Sequence, residues 1–278
     1  MRLGLTWFGI LAALGLGAGA LSAQAAGNGQ FAYATGRQRY KVTTTVHREQ
    51  MQGGGRAPFE FDVTTTQLIT VDLAPQSRDT LRLTITVDSV DVSSDLAAPQ
   101  PNLKRLFGKK VMGLVSPQGK IYSFDPAPAD SGDKDTRDLY NAFRRFLVSF
   151  PPQPLAVGTS WVDTTLENVT RNGFAIKAAA VTANRLAGDT TVNGEHAWRI
   201  ERRAHVTQSG EAKEAGKAIH LVGEGTVTGV HLVSQHGVYL GSKSTQRFDI
   251  TMSMEGSETA PISQVITSRV ERLPNAKS

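Results

Sequence analysis

The 278-residue sequence contains no cysteine. This absence excludes a disulfide scaffold, a cysteine nucleophile, thiolate-bound zinc or iron–sulfur centres, and a lipid-modified N-terminal cysteine. Aromatic residues are scarce, at 7%, and the 30 Lys and Arg residues form no run with interleaved aromatics. Nucleic-acid binding is therefore disfavoured. The hydrophobic fraction of 40% is sufficient for a sizeable core.

Residues 1–25 have the pattern of a secretory signal peptide. Arg2 gives a positive start, residues 3–20 are apolar, and Ala23-Gln24-Ala25 is a small-x-small cleavage site. A membrane anchor is the alternative, but the apolar run is short and broken by glycines. No later segment is apolar enough to span a bilayer as a helix. We expect an exported protein, periplasmic or extracellular, with no transmembrane segment after signal cleavage.

Most of the remaining chain alternates apolar and polar residues with a period of two. Within residues 58–92 most apolar residues up to Val87 share one parity, with Leu68 as the exception, and Thr, Asp and Glu fill most of the other. This alternation is typical of half-buried antiparallel strands. Pro75–Asp79 has turn chemistry, which predicts a long hairpin, and the parity switches after Asp88, which predicts a β-bulge. The same alternation returns between residues 174 and 270.

Residues 138–150 break the alternation. Leu139, Phe143, Phe146 and Phe150 recur at helical spacing, and Pro151 follows at once. The spacing predicts one amphipathic helix at about 138–150, ended by the prolines. A short helical turn is also expected at 102–107. The predicted fold class is mainly β: two related antiparallel halves forming a curved half-barrel or sandwich with this helix packed on it.

An internal repeat supports the two halves. Residues 111–122 resemble residues 227–239, because each contains a strand, a Ser-x-x-Gly turn and a second strand with a tyrosine. We interpret this as an internal duplication, with recurrent hairpin chemistry as the alternative. The predicted organisation is a signal peptide (1–25), an N-terminal β half (28–128), a helix with a Pro-rich connector (129–157) and a C-terminal β half (158–274).

The junction between the halves, residues 150–161, contains Pro151-x-x-Pro154 and Gly158-x-x-Trp161. This pattern resembles a family of uncharacterised bacterial secreted and lipoprotein-like β-rich proteins. The resemblance implies a β-rich envelope protein and brings no catalytic residues. Many members carry a lipid-attached cysteine, which this chain lacks.

The sequence shows no motif of a hydrolase, a phosphate loop or a dinucleotide site, so we expect no enzyme activity and no cofactor. Five aspartates, from Asp125 to Asp138, are dense enough for calcium, but their spacing misses the known loop pattern and no metal site is predicted. Among the six histidines, His231 is the one that shares the strand parity of apolar residues, with Val227 before it and Val233 after it. We therefore expect it in the core or facing a cavity.

An apolar helix stripe facing an apolar concavity indicates a binder of an apolar ligand such as lipid. The predicted ligand-binding residues, which line a cavity or form its lid, are Leu139, Phe143, Phe146, Phe150, Trp161 and His231. A structural or protein-interaction module of the envelope, with other envelope proteins as partners, is the alternative. A transmembrane β-barrel fits the alternation but not the few, scattered aromatics.

Overall fold

The structure, a computed structural model, describes residues 31–52, 56–95, 103–126, 143, 146–171, 174–214, 216–255 and 259–274. These residues form one antiparallel sheet of eleven strands. The strands are β1 (Gly36–Gln52), β2 (Arg56–Ser77), β3 (Thr80–Ser94), β4 (Lys110–Val115), β5 (Ile121–Pro126), β6 (Ser160–Arg171), β7 (Phe174–Val192), β8 (Glu195–Glu214), β9 (Lys217–Ser234), β10 (Tyr239–Met254) and β11 (Ala260–Arg272).

The strand order is β5-β4-β3-β2-β1-β11-β10-β9-β8-β7-β6. Both halves are therefore meanders, and they join where β1 pairs with β11, from Tyr40 opposite Arg272 to Gln50 opposite Ile262. The two halves thus share one continuous sheet. The sheet is not closed, and β5 and β6 form its two edges. The mainly β architecture predicted from the alternation is confirmed.

The sheet must curl, because both of its edges contact the same short segment. The Trp161 indole N–H of β6 donates to the Ser149 carbonyl at 2.8 Å, and the Phe150 N–H donates to the Gln118 carbonyl beside the β4–β5 turn at 2.9 Å. The edge strands β5 and β6 are ten steps apart in the sheet order, about 48 Å in a flat sheet at 4.8 Å per step. We call the face that carries the buried apolar side chains the inward face. Thr, Arg, Lys, Asp and Glu occupy much of the outward face.

The predicted hairpin is confirmed by β2 and β3, with the turn at Arg78-Asp79. The predicted bulge is also present, because Leu68 pairs with Ser89 while Ile69 pairs with Val87. Asp88, the extra residue between them, accepts a hydrogen bond of 2.7 Å from the Thr70 hydroxyl.

The helix predicted at 138–150 is not supported. Residues 146–150 follow an irregular path with a single tight turn, in which the Phe146 N–H donates to the Phe143 carbonyl at 3.0 Å. Phe150 precedes a proline, which disfavours helical backbone. Val148, which lies off the helical stripe, is as buried as the stripe itself, so the segment is enclosed and not amphipathic. Of residues 138–145 only Phe143 lies within the described residues.

Residues 146–150, which we call the connector, bridge the two halves. The Phe150 N–H donates to the Gln118 carbonyl at 2.9 Å, next to the β4–β5 turn. The Trp161 indole N–H of β6 donates to the Ser149 carbonyl at 2.8 Å. The chain then turns at Gly158, whose φ of 93° is in the left-handed region that glycine favours. The short turn expected at 102–107 is a 3-10 helix, Leu103–Leu106.

The two Ser-x-x-Gly turns have the same geometry. In each, the serine N–H bonds to a carbonyl four residues later and the glycine N–H donates to the serine carbonyl. The Ser234 hydroxyl also accepts from the Val238 N–H at 2.8 Å, and the Ser116 hydroxyl accepts from the Lys120 N–H at 3.1 Å. Duplication of the halves stays a prediction.

Ser234→Ala is expected to lower the free energy of unfolding by about 1–2 kcal/mol, because the substitution leaves the buried Val238 N–H without its acceptor. Ser116→Ala should have a smaller effect in the same direction, since its turn is less buried. Urea unfolding monitored by circular dichroism measures both. Ser209→Ala, on the outward face of β8, is the control and should stay within about 0.5 kcal/mol of wild type.

Candidate functional site

The inward face has two apolar clusters. The first contains the ends of β1–β5 and β7–β11, together with Phe143, the connector and residues 31–34. The second contains the opposite ends of β7–β11, for example Phe174, Ile219 and Ile250. An apolar interior of this kind is what the alternating strands predict.

Between the clusters, polar side chains are buried on the inward face; we call them the polar belt. The polar belt consists of Thr44, Arg48, Thr65, Gln67, Thr182, Asn184, Arg202, His231, Ser242, Ser244, Gln246, Gln264 and Ser268. The described residues bury two arginines, Arg48 and Arg202, and no Asp or Glu. Buried polar groups are costly unless they are hydrogen-bonded, so a belt of this length requires an explanation.

Part of the polar belt is internally satisfied. The Thr44 and Ser268 hydroxyls are 3.3 Å apart on neighbouring strands, and Arg202 Nη2 lies 3.4 Å from the Thr182 hydroxyl. The buried atoms that have no hydrogen-bond partner among the described residues include Gln67 Oε1, Asn184 Oδ1, His231 Nε2 and Ser244 Oγ. These atoms are available to a ligand or to water.

The predicted binding residues belong to the first cluster and its border with the polar belt. Phe143 and Phe146 contact edge to face at 5.9 Å between ring centroids, and Phe146 lies 6.1 Å from Tyr40 in the same manner. Phe150 and Trp161 are 5.8 Å apart. The structure brings these four predicted residues to one end of the interior. Leu139 lies outside the described residues.

His231 is separate from those four but joins them through tyrosines. Its Nδ1 is 3.3 Å from the Tyr239 hydroxyl, and the Tyr40 hydroxyl donates to the Tyr239 carbonyl at 3.2 Å. Burial and the nearby Arg202 guanidinium lower the pKa of His231 to about 3, so its imidazole is neutral at pH 7. In the tautomer whose Nδ1 accepts a hydrogen bond from the Tyr239 hydroxyl, the ring proton is on Nε2; in the other tautomer Nδ1 donates to Tyr239 and Nε2 is an acceptor.

The sequence analysis missed the residues that complete this region. Phe31 stacks on Phe150 with centroids 3.7 Å apart, and the Tyr33 hydroxyl donates to the Val148 carbonyl at 3.1 Å. Burial, with smaller contributions from Tyr239 and Tyr40, raises the pKa of Tyr33 well above its usual value. Arg202 was also missed, although it interrupts the apolar parity of Ile200 and Ala204.

An open trough of about 900 Å³ lies on the outward face of the C-terminal half. Exposed Leu166 and Val222 line it together with Glu49, Glu224 and Asp249. Glu224 and Asp249 are directly opposite on β9 and β10, an arrangement that is unfavourable for like charges. The trough contains none of the predicted binding residues.

No group of three or more His, Asp or Glu residues within the described ranges is placed to hold a metal ion. Four aspartates of the acidic segment, Asp130 to Asp138, lie outside those ranges. Among the helices that the structure describes, none has the length and apolar character needed to cross a membrane.

No family model and no curated protein matches the chain. Several solved structures align with it at low scores. Neisserial surface protein A has a TM-score of 0.23 and 8% identity, over 86% of this chain and 99% of that chain. Pseudomonas aeruginosa OccK2 (OpdF) in complex with glucuronate has a TM-score of 0.28 and 8% identity, over 86% and 98%. A DUF1329 family protein from Desulfovibrio piger has a TM-score of 0.20 and 10% identity, over 86% and 88%. Scores this low carry no argument about function.

Proposed function

We propose that this chain is an exported, non-catalytic binding protein of the cell envelope that carries an amphiphilic ligand inside its curled sheet. The observation that supports the proposal is the polar belt, in which buried atoms without partners lie beside a cluster of aromatic rings. A ligand with one polar end and one apolar end matches both surfaces. A wholly apolar ligand, which the sequence favours, would leave the belt unsatisfied.

The apolar end of the ligand is assigned to the aromatic cluster. Phe143, Phe146 and Phe150 are at most 4% exposed, so their rings occupy this part of the interior. A hydrocarbon chain can enter only if the connector moves. Tyr33 and Trp161 donate side-chain hydrogen bonds to carbonyls of the connector, and the connector's own Phe150 N–H donates to the β4–β5 turn. Ring packing adds to these hydrogen bonds. The movement breaks a few hydrogen bonds, each of which contributes little net stability. Apolar contact with the ligand replaces the apolar contact that the connector loses, so the movement is feasible.

Export is the part of the proposal that depends on the sequence alone. Residues 1–25 have the signal-peptide pattern and lie outside the described residues. The outward face, rich in Thr and charged residues, suits an aqueous compartment. Periplasmic and extracellular locations are both compatible with these features.

Organic extraction and mass spectrometry of protein purified without detergent test the proposal. We expect one class of amphiphile near one molecule per chain, because the polar belt offers a single interior. Asn184→Leu should reduce the amount bound by about tenfold, because it removes a polar group that would contact the ligand. Asn168→Leu, exposed on β6, is the matched control and should leave occupancy unchanged. Protein that is empty after gentle purification, and that binds no added amphiphile, would contradict the proposal.

An interaction module is the second candidate, and one observation favours it. Val162 and Leu166 project from the outward face of edge strand β6 and are 66% and 77% exposed. Val181 on the neighbouring strand is 52% exposed. Exposed apolar side chains beside an unpaired edge are typical of contact surfaces. If this candidate is correct, Leu166→Asp abolishes the co-purification of a specific envelope partner, whereas Leu114→Asp on β4 leaves it unchanged. The interior then holds no ligand.

A further inference from the structure

The trough on the outward face crosses neighbouring strands from β1 to β6, on the opposite side of the sheet from the second apolar cluster. Glu224 of β9 lies directly opposite Asp249 of β10. Ser263 of β11 lies between Asp249 and Glu49 of β1 in the same row. We call Glu49, Asp249 and Glu224 the acidic row. Beyond Glu224 the same register continues to Leu166 of the edge strand β6. At about 4.8 Å per strand step, the trough is at most about 29 Å long.

The lining of the trough is acidic, although the chain as a whole is basic. Its charged residues are one lysine, Lys177, and four acids, Glu49, Glu167, Glu224 and Asp249. The chain carries a formal net charge of +5. Among the residues that the structure describes, no Lys, Arg or His forms an ion pair with a carboxylate of the acidic row. Like charges directly opposite on neighbouring strands are destabilising, so Glu224 and Asp249 cost the free chain stability that a cationic partner would restore.

A second row of side chains runs parallel to the acidic row along the trough. It lies two residues further along each strand, about 7 Å away. Its apolar members are Val222 of β9, Pro261 of β11 and Met51 of β1, which we call the apolar row, with Ser209 and Thr251 beside Val222. Val222 and Met51 are 63% and 46% exposed. Exposed apolar side chains gathered in one groove are typical of a contact surface.

Two parallel rows of different chemistry favour a helix as the occupant of the trough. An extended segment directs alternate side chains to opposite sides, so it presents one row to a surface. An amphipathic helix presents neighbouring stripes on one side, and its residues three and four apart are about 5–6 Å from each other. That spacing is close to the single strand step between Glu224 and Asp249. A helix of about 18 residues is about 27 Å long, which fits the length of the trough.

We propose that the outward trough docks a cationic amphipathic helix of a partner protein, with a Lys or Arg stripe on the acidic row and an apolar stripe on the apolar row. Complementary charge favours the correct partner and accelerates encounter. The inference goes beyond the proposed function, because it concerns the outward face and requires no ligand inside the sheet. Its failure would leave the amphiphile carrier standing.

Fluorescence anisotropy on the purified chain tests the proposal with a labelled peptide of about 18 Leu and Lys residues, ordered so that its helix is amphipathic. Two control peptides have the same length. One is a scrambled Leu–Lys sequence without an apolar stripe, and the other has Glu in place of every Lys. We expect the amphipathic Leu–Lys peptide to bind at least about tenfold more tightly than either control, because it alone matches both rows. Its affinity should fall as NaCl is added, since exposed charges are screened.

A pair of double variants localises the charge effect. Glu224→Gln combined with Asp249→Asn should weaken binding of the amphipathic Leu–Lys peptide by about five- to tenfold, because two exposed charge contacts are lost. Asp79→Asn combined with Asp189→Asn is the matched control. It changes the net charge equally, at exposed positions outside the trough, and should leave the affinity unchanged.

A pair of single variants localises the apolar contact. Val222→Ser should weaken binding by about threefold, because part of the side chain is buried against the helix. Val181→Ser is the matched control, since Val181 is 52% exposed and lies outside the lining of the trough. Glu224→Gln should also raise the midpoint of urea unfolding of the free chain, because it removes a like charge opposite Asp249. Weaker binding by a more stable protein excludes misfolding as the cause.

The opposite outcomes would each overturn the proposal. They are equal affinity for the scrambled or the Glu-containing peptide, equal losses in the two double variants, and no saturable binding of the amphipathic Leu–Lys peptide. A chain that sediments as a dimer and becomes monomeric in the Glu224→Gln, Asp249→Asn variant would assign the trough to a second copy instead.

Discussion

Phe150→Ala is expected to lower the free energy of unfolding by about 3–5 kcal/mol. Phe150 is 4% exposed, and its ring contacts Phe31, Tyr33 and Trp161 with centroids 3.7, 5.6 and 5.8 Å away. Truncation removes apolar contact from all three rings and leaves a cavity where the two halves of the chain meet. The prolines that follow Phe150 limit backbone relaxation, so the cavity is not easily refilled.

Urea unfolding, followed by circular dichroism and by tryptophan fluorescence, measures this loss. Phe107→Ala is the matched control, because Phe107 is 65% exposed and should contribute less than about 0.5 kcal/mol. Phe150→Leu should recover part of the loss, since it refills part of the volume. Equal stability of Phe150→Ala and Phe107→Ala would show that the connector does not pack against residues 31–33 as described.

The second large effect is a loss of stability on acidification that depends on His231. Its pKa is about 3 in the folded chain and 6.5 when unperturbed, because burial and then Arg202 disfavour the charged ring. Between these values the unfolded chain binds more protons than the folded one, so stability rises with pH. The stabilisation is complete above about pH 6.5 and falls as the pH drops towards 3. From about pH 7 to pH 5 the loss is about 2 kcal/mol.

His231→Gln should remove this component of the pH dependence. Among the residues that the structure describes, the titratable groups near His231 are Tyr239 of β10 and Arg202 of β8, and Tyr40 and Tyr33 lie next to these. Arginine and tyrosine side chains ordinarily titrate well above pH 7. Urea unfolding at both pH values for wild type, His231→Gln and His205→Gln isolates the effect, because His205 is exposed on the outward face of β8. The same slope in all three proteins would contradict a neutral, buried His231.

The strands were predictable because one face of the sheet is buried. Val63, Ile69, Val71 and Leu73 are at most 3% exposed, on the parity that the sequence indicates. A one-residue change of register would move all of them into water, so the pattern is strongly constrained. The order of the strands in the sheet is not predictable in the same way. The pairing of β1 with β11 joins distant segments, and no local pattern encodes it.

The connector and the polar belt were harder to predict. Phe146 and Phe150 have helical spacing, but residues 146–150 are not helical, and enclosure buries Leu147 and Val148 together with them. In β8 the inward parity runs Ile200, Arg202, Ala204, and a period-two analysis treats the arginine as an exception. The structure buries it beside Asn184 and Gly229, a grouping that depends on the register of four strands.

Pairing of the first strand with the last has a consequence for biogenesis. Thr44 and Ser268 meet although they are 224 residues apart in sequence. If the proposed export proceeds from the N-terminus, the β1 edge emerges long before its partner, and this seam cannot form until β11 has crossed the membrane. Such high contact order slows folding and leaves the nascent meander open to aggregation, which makes a holdase chaperone in the receiving compartment advantageous.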